Sequence, residues 1–223
     1  MKAWVVGIIN AAVTVALLTT TAHADCASQL QSIFDRALRS GPFHAELTTV
    51  AASTGCESKL AEDVIPPDDF YNTSTHCGVI SSQQKHVKGR FWLNQGVGWQ
   101  ETTFFEKQGW SAANYHPFNI HYGTPDNALG KIIELTCDIE EGQNNKMYYV
   151  FHYRKAPPDL AHRELEASGG YAVLDGHEIR GTLYVDYDLM LPAFLVFSSS
   201  AQQTQRPSRI TYTFDRSIKI TPP

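Results

Sequence analysis

The sequence predicts an α+β domain, an antiparallel sheet of many strands with its helices gathered on one face. Three observations carry that reading. Apolar residues alternate with polar ones along seven or more short runs, residues 27–39 show helical spacing instead, and turn residues separate the runs. The chain has 223 residues, 43% of them hydrophobic and 11% aromatic, which suits one large domain with a substantial core.

The first 24 residues read as a segment to be removed. Met1-Lys2-Ala3-Trp4 is a short basic start, Val5 to Leu18 is an apolar run, and Ala22-His23-Ala24 is a small-x-small cleavage site. The run is shorter than the ~20 residues a spanning helix needs, so a secretory signal peptide over 1–24 and a single domain over 25–223 are expected. Asp25 rather than a cysteine follows the cleavage site, so no lipid anchor is expected. The short-residue signal has a bacterial look, which places the product in the periplasm or outside a Gram-negative cell.

Leu30, Ile33, Phe34, Ala37 and Leu38 make the stripe of an amphipathic helix, startable by Asp25 or Ser28 and stopped by Ser40-Gly41-Pro42. Weaker helical patterns run from Thr102 to Gly109 and from Pro158 to Glu166. Strand alternation is read at Phe43–Ala51, Val87–Leu93, Ile133–Ile139, Met147–Tyr153, Ile179–Val185, Ala193–Phe197 and Ile210–Phe214. Gly55, Asn94-Gln95-Gly96, Gly142 to Asn145, Asp175-Gly176 and Leu191-Pro192 punctuate them. Residues 109–130 form the expected irregular loop.

Composition excludes several classes of function. A formal charge of −5 argues against a nucleic-acid partner or an anionic membrane surface. Four cysteines in an exported chain point to two disulfides, with three pairings open. His116 and His121 are spaced as loop histidines rather than metal ligands, and no carboxylate lies between them. Glu140-Glu141, Asp68-Asp69 and Asp186-x-Asp188 sit at turns or strand ends, where solvated carboxylates are ordinary. No nucleophile elbow, phosphate loop or zinc-protease signature occurs. Asn72-Thr73-Ser74 reads as a turn. The expectation is therefore of no catalytic residue, no metal and no cofactor. The aromatic residues are the surplus, serving either as core or as the wall of an apolar cavity.

Four segments together resemble the LolA-like superfamily of periplasmic lipoprotein carriers. Gly181 to Pro192 resembles that family's strand–Asp–turn–Leu-Pro hairpin, and Tyr212 to Pro223 resembles its closing segment. Ile65-Pro66-Pro67-Asp68-Asp69-Phe70-Tyr71 and Val97-Gly98-Trp99-Gln100-Glu101 match two further strand motifs. The resemblance implies a strongly curved antiparallel sheet, an incomplete β-barrel, with helices covering the concave face. It implies a non-catalytic protein that holds an apolar or lipid-like ligand, such as a lipoprotein acyl chain, between sheet and helices. One departure from the carrier stands out, since Ile65 replaces the arginine that precedes its proline segment.

On that reading the ligand-lining residues are Phe91, Leu93, Trp99, Tyr149, Phe151, Leu183, Val185, Leu195 and Phe197. The alternatives are an envelope interaction or assembly protein whose core is filled by its own side chains, and, last, a secreted hydrolase. Some relatives carry cysteines in the places of Cys26 and Cys137, so the resemblance implies that pair and leaves Cys56 with Cys77. A straight strand over 58–74 would hold those last two about 50 Å apart, far beyond the ~7 Å limit for bridged Cα atoms. The chain must therefore fold back near Pro66-Pro67, neither of which can donate to a ladder.

Overall fold

The computed structural model describes residues 25–50, 55–67, 69–103, 132–142, 145–155, 178–199 and 207–223. The leading segment 1–24, the two weaker helical patterns beyond Thr103, the loop 109–130 with His116 and His121, and Asp68 lie outside the described residues.

Helix α1 spans residues 25–39. Cys26, Leu30, Ile33 and Ala37 recur at three- and four-residue spacing and are buried, with Phe34 and Leu38 packed beside them. At its start the Ser28 hydroxyl donates to the Asp25 carbonyl and the Gln29 amide donates to the Asp25 carboxylate. At its end Ser40 donates twice to the Arg36 carbonyl, from backbone and side chain, before Gly41 and Pro42 stop the helix.

Eleven strands follow among the described residues: β1 (Phe43–Val50), β2 (Glu57–Ile65), β3 (Asp69–His76), β4 (Val79–Val87), β5 (Arg90–Asn94), β6 (Gln100–Glu101), β7 (Ile132–Glu141), β8 (Met147–Lys155), β9 (Ile179–Asp186), β10 (Leu191–Ser199) and β11 (Ser208–Phe214). They form one antiparallel sheet in the order β6-β5-β4-β3-β2-β1-β11-β10-β9-β8-β7. Among the described residues β6 and β7 stand at the two open edges of the sheet. An open sheet this wide coils under its own right-handed twist, which suits the expected half-barrel. One helix, α1, covers it among the described residues.

The predicted strands at Phe43, Ile133, Met147, Ile179, Ala193 and Ile210 are all present. The run Val87 to Leu93 is not one strand. Lys88 and Gly89 both take positive φ, at 51° and 76°, and turn β4 into β5. His86 therefore pairs with Phe91, and Val87 pairs with Arg90 on the opposite face. The expected fold-back at Pro66-Pro67 is present as the β2–β3 turn, with Ile65 opposite Asp69.

Cys26 is bonded to Cys137 and Cys56 to Cys77, the pairs that the resemblance implied. The first ties α1 to β7 across 111 residues of chain. The second ties the start of β2 to the β3–β4 turn.

Registered pairs build rows across the covered face. Cys137, Phe151, Leu183, Leu195, Ile210, Leu47 and Leu60 run from β7 to β2 as one apolar row. Phe91, His86, Phe70, Val64 and Phe43 form a second, from β5 to β1. Gly181 has a reason of its own in this packing, because the Tyr153 ring lies across it and leaves no room for a Cβ.

The β9–β10 turn is held by a buried carboxylate. Asp186 Oδ1 accepts from the backbone N–H of Asp188 at 3.0 Å and Leu189 at 2.9 Å, and Oδ2 accepts from Lys146 Nζ at 2.7 Å. Burial pushes this carboxyl up, but the Lys146 ammonium and the two N–H groups together hold it below its usual range. A depressed carboxylate stabilises the fold fully above its ordinary value of ~3.9, and that contribution is lost as pH falls through the lower folded value. Asp186→Ala is expected to cost about 2–3 kcal/mol at neutral pH, three bonds to a charged group being lost without full additivity. Urea midpoints should show that difference shrinking once the pH drops below about 4.

Candidate functional site

The structure gathers most of the expected lining residues on one face. Phe91, Phe151, Leu183, Val185, Leu195 and Phe197 are all buried in a single apolar cluster with α1. Tyr149 packs at its margin, stacked on Tyr187 with ring centres 4.8 Å apart. Leu93 shares this face, half-buried beside Gln84.

Trp99 is the exception. Its ring meets Tyr71 at 6.2 Å and carries Lys85 Nζ above it at 4.9 Å. Tyr71 and Lys85 are registered partners whose side chains alternate with the buried Phe70 and His86, so Trp99 lies on the opposite face. Gly96 and Gly98, both at φ +94°, redirect the chain just before it.

The apolar reading of the sequence missed a polar row. Leu93, Gln84, Asn72, Glu62, Ala45 and Tyr212 stand in register across β5, β4, β3, β2, β1 and β11. Glu62 is 4% exposed and Asn72 2%, so an acid and an amide lie inside the core face. Asn72 Nδ2 donates to Gln84 Oε1 at 3.4 Å, while Asn72 Oδ1 has no hydrogen-bond partner among the described residues. Burial pushes the neighbouring Tyr212 phenol well up, with Tyr153 and Glu62 adding to the effect, so it stays neutral and able to donate. His86, 2% exposed, sits beside this row with its ring 4.4 Å from that of Phe91 and 5.9 Å from that of Phe70. An apolar wall carrying a recessed line of amide, carboxyl and phenol groups can hold a greasy body and fix a polar group.

A cavity of about 620 Å³ opens elsewhere, at the ends of β7 to β10. Glu134, Arg154, Arg180, Thr182 and Pro207 line it, and of the nine expected residues it touches only Phe197. Arg154 bridges Glu134 and Glu178 there, and Glu178 also accepts from Arg180. Nearby, His152 Nδ1 lies 3.1 Å from Thr182 Oγ1 and Nε2 lies 3.5 Å from Glu140. That sequence of hydroxyl, imidazole and carboxylate has the order of a nucleophile triad. Its members stand on the three adjacent strands β9, β8 and β7, where Thr182 is the registered partner of His152 and the three side chains share the face opposite Phe151 and Leu183. The remaining acidic pairs are ordinary too, with Asp69 accepting from Lys88 N and Asp186 capping its turn.

No helix among the described residues is long and apolar enough to cross a membrane. No family model matches the sequence. No curated protein matches it either. Among solved structures the chain is similar to LprF from Mycobacterium bovis, 10% identical with a TM-score of 0.50, over 86% of this chain and 95% of that one. The lipoprotein LppX from Mycobacterium tuberculosis is 9% identical with a TM-score of 0.44, over 82% and 92%. A LolA superfamily protein from Nitrosomonas europaea is 9% identical with a TM-score of 0.35, over 82% and 91%. At 10% identity the likeness to LprF is one of architecture and not of activity. The chain thus has the fold of LprF.

Proposed function

We propose that this is an exported, non-catalytic binding protein of the bacterial envelope. Its ligand is an apolar or lipid-like molecule with one hydrogen-bonding group, held between the sheet and the helical side. Phe91, Phe151, Leu183, Val185, Leu195 and Phe197 supply the apolar wall, with Leu93 and Tyr149 at its margins.

The observation that carries the reading is Asn72 Oδ1, an acceptor inside that wall with no partner among the described residues. A buried acceptor left unmet costs about 1–3 kcal/mol, and a core filled only by its own side chains gains nothing from it. A ligand hydroxyl or amine would meet it, with Tyr212 and Gln84 in the same row. Each methylene buried alongside would add about 0.8 kcal/mol, so ten would outweigh ordinary ordering costs.

Native mass spectrometry of protein purified from its own envelope tests this. A mass above the bare chain, with lipid recovered in organic solvent, is the expected result. Asn72→Leu should retain less of that lipid while unfolding no more easily. A bare mass with nothing extracted would count decisively against it. A second reading, a docking module for an envelope protein, draws support from the charged groove around Arg154, which suits a polar partner.

A further inference from the structure

The exposed end of the β2–β3–β4 ladder brings two sulfur atoms and an imidazole together. The ligand atoms of Cys56, His76 and Cys77 all lie within 4.8 Å of one another, and this is the one such group among the described residues. Cys56 precedes β2, His76 ends β3, and Cys77 opens the two-residue turn with Gly78, where φ is +50° and +78°. Ser58 pairs with His76 across the ladder, and its Oγ lies 2.8 Å from His76 Nδ1. When Nδ1–H donates to that hydroxyl, Nε2 keeps its lone pair, 3.9 Å from Cys56 Sγ. That is the orientation in which a histidine is held for a metal by a partner behind it.

We propose that Cys56, His76 and Cys77 form a redox-gated site for a borderline-soft divalent cation of the zinc class, closed while the two sulfurs are bonded and opened by a dithiol reductant. In the opening step a thiolate of the dithiol attacks one sulfur and forms a mixed disulfide. Its second thiolate then attacks, leaving the reductant as a disulfide and Cys56 and Cys77 as two thiols. The cation displaces both thiol protons to solvent and gains two metal–sulfur bonds. His76 Nε2 is the third ligand, and water fills the fourth place.

The dimensions allow it. Metal–sulfur bonds of ~2.3 Å and metal–nitrogen bonds of ~2.0–2.1 Å put tetrahedral ligand atoms about 3.5–3.8 Å apart. The Cα atoms of Cys56 and Cys77 are 5.3 Å apart, which two rotating side chains span. His76 Nε2 already stands 3.9 Å from Cys56 Sγ, close to that separation. Accessibility separates this bond from its counterpart, since Cys77 and His76 are exposed whereas Cys26 is 5% exposed on the buried face of α1. A reductant reaches Cys56–Cys77 first. This inference stands apart from the ligand reading above and shares no residue with it.

Anaerobic titration with Co²⁺ alone, before and after reduction and removal of the dithiol, tests the site. The reduced protein should take up one Co²⁺ per chain, with tetrahedral visible bands and a thiolate charge-transfer band that Zn²⁺ abolishes. The oxidised protein should take up none. His76→Ala should weaken uptake tenfold or more. The double variant C56S/C77S, shown folded by circular dichroism, should take up none after the same reduction. Failure of the reduced protein to bind Co²⁺ would overturn the proposal, as would equal affinity in His76→Ala or uptake that survives in C56S/C77S.

Discussion

Replacing Cys26 and Cys137 together by alanine is expected to lower stability by roughly 4–5 kcal/mol, and the melting temperature by about 10–20 °C. The bond closes a loop of 111 residues, and in the chain-entropy model its effect is exerted on the unfolded chain, where so long a loop has most freedom to lose. It also fixes the first turn of α1 to an edge strand, β7, which has a neighbour on one side only. Against a domain stability of ~5–15 kcal/mol, a loss of this size leaves little margin. Urea denaturation of the double variant checks it directly. C56A/C77A, with a separation of 21, should lose distinctly less, about 3 kcal/mol on the same model. Equal losses in the two variants would show that α1 is held by its apolar stripe and not by the bond.

Phe151→Ala is expected to cost about 3–5 kcal/mol, as for other fully buried aromatic residues. Phe151 is 0% exposed and stands between Cys137 and Leu183 in the row that runs on to Leu60. Phe151→Leu, which keeps most of the volume, should cost under about 1.5 kcal/mol. Phe151 is also the registered partner of Cys137, so the two perturbations meet at one place. Combined in one chain they should not add, and a double-mutant cycle should return a coupling of at least ~0.5 kcal/mol. Strict additivity would mean that the helix and the sheet tolerate each other's loss independently. Bound lipid provides a second readout, because Phe151→Ala removes part of the proposed wall while Asn72→Leu removes its polar anchor.

Much of this fold could be read in the sequence because most strands bury one face and leave the other wet. Phe43, Ala45 and Leu47, or Leu183 and Val185, announce themselves by alternation. β2 and β3, which the resemblance and the fold-back at Pro66-Pro67 indicated but alternation did not, break that rule. β3 buries Asn72 and β2 buries Glu62, so their core faces look polar in the sequence. Lys88-Gly89 hid a turn because lysine is an unusual residue at positive φ, and the reading ran straight through it. The candidate site was legible to the same extent. Six of the expected residues, Phe91, Phe151, Leu183, Val185, Leu195 and Phe197, share one buried cluster because they alternate along their strands, whereas Trp99 follows Gly96 and Gly98 outside any strand. The row from Gln84 to Tyr212 could not be found this way, since its members are neighbours only through the pairing of five different strands.

The strand order sets when the molecule can be finished. β1 to β6 are each paired with the strand next to them in sequence, and so are β7 to β11. Each half is a meander whose contacts close within a few tens of residues, the kind that forms fast. The two halves meet only where β1 pairs with β11, from Phe43 opposite Phe214 to Thr48 opposite Arg209. That seam has the highest contact order in the sheet, and it cannot form until nearly the whole chain has emerged. A chain threaded through a membrane from its N-terminus would pass with β1 still lacking one neighbour. Its central seam would zip shut only on the far side, where an oxidant for Cys26 and Cys137 would also be waiting.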